Sequence, residues 1–199
     1  MAKPIVKVSG ISSLTDARYC AGMEVEFLGI AFDTTGGSPV SRTHFASISG
    51  WIEGPQWVCE YDGQSLETLL ELVAEYGFET VQVNSLAMAN ACIAKGLKTG
   101  LRVNIAELDT WLEVPDNLAF VVIPFLDTVV ESDHFLPGLE EKAVVLAEQI
   151  TRIDEVEVIL TKYPGLGFNL YSGEEDRPGW MDLSGLQDVL ELIDEAQNQ

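Results

Sequence analysis

The chain has 199 residues and a mass of 21.8 kDa, which suits one domain over residues 1–199 with a core large enough to need no disulfide or metal staple. Its 32 acidic against 11 basic residues leave a net charge of −21. That balance excludes nucleic acid and anionic membrane surfaces as partners, because both require clustered lysine and arginine.

Eight short apolar, β-branched runs recur in chain order, at residues 5–8, 27–31, 57–59, 80–83, 100–103, 119–123, 143–146 and 167–170. The stretches between them read as helices. Residues 65–76 place Leu66, Leu69, Leu70 and Val73 on one face, the i, i+3, i+4, i+7 stripe of an amphipathic helix. Residues 86–95 are alanine-rich and stop before Gly96, residues 152–163 stop at Pro164, and 183–196 repeat the apolar stripe with Leu186, Val189, Leu190 and Ile193. Residues 125–142 fit neither pattern. Strands alternating with helices pair in parallel through crossovers. Eight units of about 25 residues each are of minimal strand-loop-helix-loop size. The expected fold is therefore α/β, a single compact (β/α)8 TIM barrel with minimal loops; no glycine-rich first turn suggests an open dinucleotide-binding sheet.

Cys20, Cys59 and Cys92 are too widely spaced for a zinc site or a disulfide framework, and His44 and His134 are the only histidines. No metal is expected. The opening residues turn polar too early for a signal peptide, and the longest apolar run, 118–126, contains a proline and is too short to span a bilayer. The expectation is a cytoplasmic protein, a monomer or homodimer, with a small molecule as its possible ligand.

In such barrels chemistry sits at the C-terminal ends of the strands. That rule selects Ser9, Asp33, Glu60, Asp62, Asn84, Arg102, Asn104, Asp127, Glu148 and residues 169–172. Taken singly, each is more often an ordinary polar loop residue. Strand alternation puts Lys7 and Ser9 on one face and Val6 and Val8 on the other. Lys7 and Ser9 should point into the barrel, with Asn169 and Tyr171 doing the same on the neighbouring eighth strand. An inward lysine is costly unless it is paired.

Two segments carry a family pattern. Lys7-Val8-Ser9-Gly10-Ile11-Ser12 is followed by Asp16-Ala17 and by Phe27-Leu28-Gly29-Ile30-Ala31-Phe32; Ser172-Gly173-Glu174-Glu175-Asp176-Arg177-Pro178-Gly179 is followed by Asp182. Both ends resemble those of phosphoribosylanthranilate isomerase. The resemblance implies the same barrel and a cofactor-free aminoaldose-to-aminoketose isomerisation in tryptophan biosynthesis. It also implies a cysteine general base, an aspartate general acid, and a phosphate held by backbone N–H groups near strands seven and eight.

The functional positions depart from that pattern. Ser9 stands where the family has its cysteine, and a hydroxyl is a far weaker base than a thiolate. Leu126-Asp127-Thr128 matches the family's acid segment, but Pro124 suits a central strand poorly; if strand six ends at Ile123, the acid position falls near Pro124 instead. Glu148 stands in the turn after strand seven, where the family has glycines, and a carboxylate there opposes a phosphate cradle. Asn169 stands where the family has an aspartate, and Arg102 where it has a lysine. The resulting expectation is a divergent barrel without the isomerase reaction, binding a small molecule or partner. Ser9 and Asp127 are the candidate catalytic residues, and Lys7, Arg102, Asn169, Ser172 and Gly173 the candidate ligand-binding residues. The alternatives are an active isomerase, or another enzyme on this barrel using Asp33, Glu60 or Asp127.

Overall fold

The computed structural model describes residues 3–32, 40–103, 114–124, 143–148, 150, 153–172, 175–177, 180–181 and 184–197. The strands are β1 (Val6–Ser9), β2 (Phe27–Phe32), β3 (Gln56–Tyr61), β4 (Thr80–Val83), β5 (Lys98–Arg102), β6 (Phe120–Pro124), β7 (Val144–Glu148) and β8 (Gly167–Tyr171). They close in that order into a parallel barrel, with Lys7 opposite Asn169 at the β1–β8 seam. The helices are α1 (Leu14–Gly22), α2 (Arg42–Ser49), α3 (Leu66–Tyr76), α4 (Leu86–Ala94), α5 (Ile153–Lys162) and α6 (Ser184–Gln197). All eight expected strands and all four of the expected helices fall within two or three residues of their sequence-based positions. A two-stranded antiparallel sheet of β9 (Glu175–Arg177) and β10 (Trp180–Met181) follows β8; the sequence reading did not anticipate it. Residues 125–142 and Asp33, Asn104, Asp127 and Gly173 lie outside the described residues. No described helix is long and apolar enough to cross a membrane.

Serine sets the start of four helices. The hydroxyls of Ser13, Ser41, Ser65 and Ser85 accept hydrogen bonds from the backbone N–H groups of Asp16, His44, Thr68 and Met88. Each removes one of the orphan donors at a helix N-terminus. Asp16 of the Asp16-Ala17 motif is thus a helix-start residue, and burial raises its carboxyl above the ordinary value despite the hydrogen bond with Ser13.

The outward side chains of the strands, among them Val8, Leu28, Ile30, Val81, Val121 and Phe168, pack against the helices as the main core. The inward side chains divide along the barrel axis. The lower part is apolar: Val58, Phe120, Val122 and Leu146 form a second core with Ile5, Phe27 and Val144 around them. The rings of Phe27 and Phe120 lie 5.2 Å apart. Gly100 is opposite Phe120 in the β5–β6 register, and a Cβ at that position would collide with the Phe120 ring. The upper part is polar, and on six of the eight strands it begins one inward residue higher, with Lys7, Glu60, Gln82, Arg102, Glu148 and Asn169. Interior close packing explains why the barrel is filled rather than hollow up to this level.

Gly100→Ala is expected to cost about 1–3 kcal/mol by overpacking, read as a lower urea midpoint, and Phe120→Leu in the same chain should recover part of the loss. An unchanged midpoint in the single variant would show that the ring does not lie over Gly100.

Candidate functional site

The polar upper layer is one connected network. Lys7 is fully buried, and its ammonium donates to Ser9 Oγ at 2.5 Å, to Asn169 Oδ1 at 3.0 Å and to Glu60 Oε1. Ser9 Oγ donates to Glu60 Oε1 at 2.6 Å and lies 3.0 Å from Asn169 Oδ1. The other Glu60 oxygen accepts from Gly10 N at 3.2 Å. Glu60 reaches β1 from β3 by passing over Gly29 of β2, where a Cβ would land on its carboxylate. Glycine at that position is therefore the condition for the Lys7–Glu60 ion pair.

A second ion pair closes the other side of the mouth. Arg102 Nε donates to both oxygens of Glu148, at 2.9 and 3.0 Å. Tyr171 OH donates to Glu148 Oε2 at 2.6 Å, and Asn169 Nδ2 donates to the same oxygen at 3.4 Å. Burial alone would lower the Arg102 guanidinium; the hydrogen bond and charge of Glu148 more than offset it and raise it. Burial, followed by the hydrogen bond and charge of Glu148, pushes the Tyr171 phenol well above the usual phenol range, which holds it as a proton donor. Asn169 joins the two halves, accepting from Lys7 and donating to Glu148. An uncharged amide is suited to this place because it offers an acceptor to one side and a donor to the other.

Strand alternation placed Lys7, Ser9, Asn169 and Tyr171 correctly on the inward face. Ser172 is directed onto the backbone: its Oγ donates to Gly10 O at 2.6 Å and its N donates to Ser9 O at 3.0 Å. It fastens the loop after β8 to the loop after β1. Glu148 is the last residue of β7, and its carboxylate turns inward onto Arg102 rather than standing bare in the turn beyond the strand. Pro124 is the last residue of β6, opposite Glu148, so the proline is tolerated at the strand's end. Two residues at the mouth were underread from sequence. Gln82 was overlooked, although the polar-apolar alternation of Thr80-Val81-Gln82-Val83-Asn84 marks it as inward; Glu60 was selected by position, but its pairing with Lys7 was not foreseen.

Above the network lies an open cavity of about 190 Å3, lined on its polar side by Ser9, Glu60, Asp62, Gln82, Asn84 and Arg102. None of the three cysteines reaches it as a free thiolate: all are buried, and burial above all pushes the thiols of Cys20 and Cys59 up to about 12. Among the described residues no group of histidine, cysteine and carboxylate side chains is arranged to hold a metal ion.

Fold and site together define a (β/α)8 barrel whose mouth is a self-paired polar network under a small cavity. Its fold is that of phosphoribosylanthranilate isomerase. A structure of that enzyme in complex with reduced 1-(o-carboxyphenylamino)-1-deoxyribulose 5-phosphate superposes with a TM-score of 0.76 at 17% identity, covering 98% of this chain and 100% of that one. The enzyme from Thermotoga maritima superposes at 0.73 and 17% identity, with coverage of 98% and 100%. A phospho-2-dehydro-3-deoxyheptonate aldolase from the same organism superposes at 0.65 and 11% identity, covering 98% of this chain and 68% of the aldolase. No family model matches the sequence, and no curated protein matches it. At these identities the likeness establishes the barrel, and a barrel does not fix a reaction.

Arg102→Met leaves the buried Glu148 carboxylate without its cation. Loss of one partner from a fully buried pair costs about 3–5 kcal/mol; with Arg102 partly exposed, about 2 kcal/mol is expected by urea denaturation. Adding Glu148→Gln should return most of it. An equal loss in the single and double variants would show that the pair does not carry the effect.

Proposed function

We propose that this protein is a divergent phosphoribosylanthranilate isomerase-like barrel that lacks the isomerase reaction and binds a small molecule at its mouth. The observation that carries this reading is the state of Ser9 Oγ. It lies where the family resemblance places the general base, yet it receives the Lys7 ammonium at 2.5 Å and donates to Glu60 at 2.6 Å. A base must offer a basic lone pair to a carbon-bound proton, and a cation bonded to one of this oxygen's two lone pairs lowers its basicity. Its proton is committed to a carboxylate already bonded to that cation. The neighbouring residues belong to the same network: Arg102, a candidate ligand-binding side chain, donates through Nε to both oxygens of Glu148.

An isomerase using Asp127 and a third enzyme using Glu60 as acid or base are less well supported. Asp127 lies outside the described residues, and Glu60 is already bonded by Lys7, Ser9 and Gly10. The cavity remains open above these groups and is the place for a ligand of modest size.

The purified protein is expected to give no turnover of phosphoribosylanthranilate, and its gene is expected not to rescue a tryptophan auxotroph lacking this isomerase despite soluble expression. Turnover above the uncatalysed rate would defeat the proposal. Activity gained by Ser9→Cys alone would show that the remaining isomerase machinery had been retained and that only the base had changed.

A further inference from the structure

The end of the barrel opposite the mouth carries a large aromatic side chain with little over it. Trp51 comes directly after Gly50, the C-cap of α2, and is 71% exposed. Its loop is fixed by backbone hydrogen bonds. Trp51 N donates to Ile48 O and Ile52 N to Ser49 O, both at 3.2 Å. Where the loop enters β3, Gln56 N donates to Glu26 O at 2.8 Å. The indole is therefore held out in water by a hydrogen-bonded turn.

Beside it opens a cavity of about 590 Å3, between the last turns of α2 and α3 and the first residues of β3, β4 and β5. Its apolar walls are Phe45, Ile52, Trp57, Tyr76 and Phe78. The rings hold one another: Phe45 lies 5.2 Å from Trp57 and 5.0 Å from Phe78, and Tyr76 stacks on Phe78 at 6.1 Å. Tyr76 OH donates to Val40 O at 2.8 Å. Ile52, the residue after Trp51, forms one edge, so a projecting indole and an aromatic groove are neighbours on one face. A tryptophan held in water beside further apolar surface marks a contact site.

Charge singles out the same face. The described loops here run from the last residue of each helix to the first of the next strand, with residues 3–5 beside them. They carry four lysines, Lys3, Lys95, Lys98 and Lys162, against five acidic residues. Little of the net −21 lies at this end. The rest of the surface is acidic and repels another molecule of the same charge. The groove's own rim bears both signs, with Glu79 and Lys98 3.5 Å apart and both exposed.

We propose that this face binds a second copy of the chain, with Trp51 of each copy seated in the aromatic groove of its partner. A two-fold axis between the indole and the groove exchanges the two, so each copy offers the same self-complementary patch and assembly closes at two. Tryptophan in an aromatic pocket is the usual anchor of such an interface. The charge pattern favours a second copy over a partner of single sign, because a face with balanced charge is compatible with itself. The two barrels then stand back to back, and both mouths remain open to solvent. The inference is independent of what the mouth binds.

The test is sedimentation equilibrium of the intact protein from about 1 to about 200 μM, at physiological ionic strength so that charge repulsion is screened. The mass is expected to reach twice the 21.8 kDa of the chain and to go no higher. Trp51→Glu removes the indole, and Gln56→Arg places a charge in the groove at an exposed position. Each should weaken association at least about 100-fold. Both positions are exposed, and Tm at low concentration reports whether each variant is folded; if one is not, the other and the wild-type mass decide. Mixing the two variants brings an intact Trp51 to an intact groove and, at the second contact, a carboxylate to a guanidinium. The mixture is therefore expected to regain a dimer that neither variant forms alone. The proposal is overturned by a monomer at every concentration, by assemblies that grow beyond two, or by a dimer that neither variant weakens. A mixture that stays monomeric overturns it as well, because the exchange of Trp51 between copies would then not be the contact.

Discussion

An ammonium group inside a closed barrel must be met by oxygen atoms, because an unpaired buried charge is prohibitively costly. Lys7 imposes that requirement here. It is fully buried, and it faces oxygens from three other residues, Ser9, Glu60 and Asn169. The compensating charge comes from β3 rather than from the neighbouring β8, where Asn169 is uncharged. That route is open only because Gly29 of the intervening β2 has no side chain to obstruct the Glu60 carboxylate. The same arrangement engages Ser9, since the groups that satisfy Lys7 are the groups that bind the serine hydroxyl.

The Arg102–Glu148 pair repeats the solution on the opposite side, and Asn169 connects the two. A carboxylate at the end of β7, read in sequence as hostile to a phosphate, instead serves as the counter-ion of an arginine. The acidity of the chain thus enters the site in two forms. Glu60 and Glu148 are neutralised within the network, while Asp62 stands exposed at the cavity rim. The lower barrel is filled by Phe27, Phe120, Val58 and Leu146, so the cavity is confined to the mouth.

Much of the fold was legible in the sequence because local rules govern it. Strand and helix periodicity and parity along β1 and β8 act within a few residues, and parity puts Lys7, Ser9 and Asn169 on the correct face. Pairing across the barrel was not legible. The contact between Lys7 and Glu60 joins residues 53 positions apart and depends on a glycine in a third strand, a three-body condition that no local pattern encodes. Gln82 is a different case: its alternation is visible on β4, but the burial of its side-chain oxygen, which has no hydrogen-bond partner among the described residues, is a property of the assembled barrel. The inward turn of Glu148 likewise followed from where β7 ends, and strand ends are the least certain part of any sequence reading.

The central claim is that the polar mouth is held together by its own ion pairs and is not poised for proton abstraction. The most direct measurement is the coupling energy between Lys7 and Glu60, from the stabilities of Lys7→Met, Glu60→Gln and the double variant. The account predicts strongly destabilising single variants, by about 3 kcal/mol each, and a double variant much closer to the wild type than their sum. Additive losses, or single variants as stable as the wild type, would contradict it.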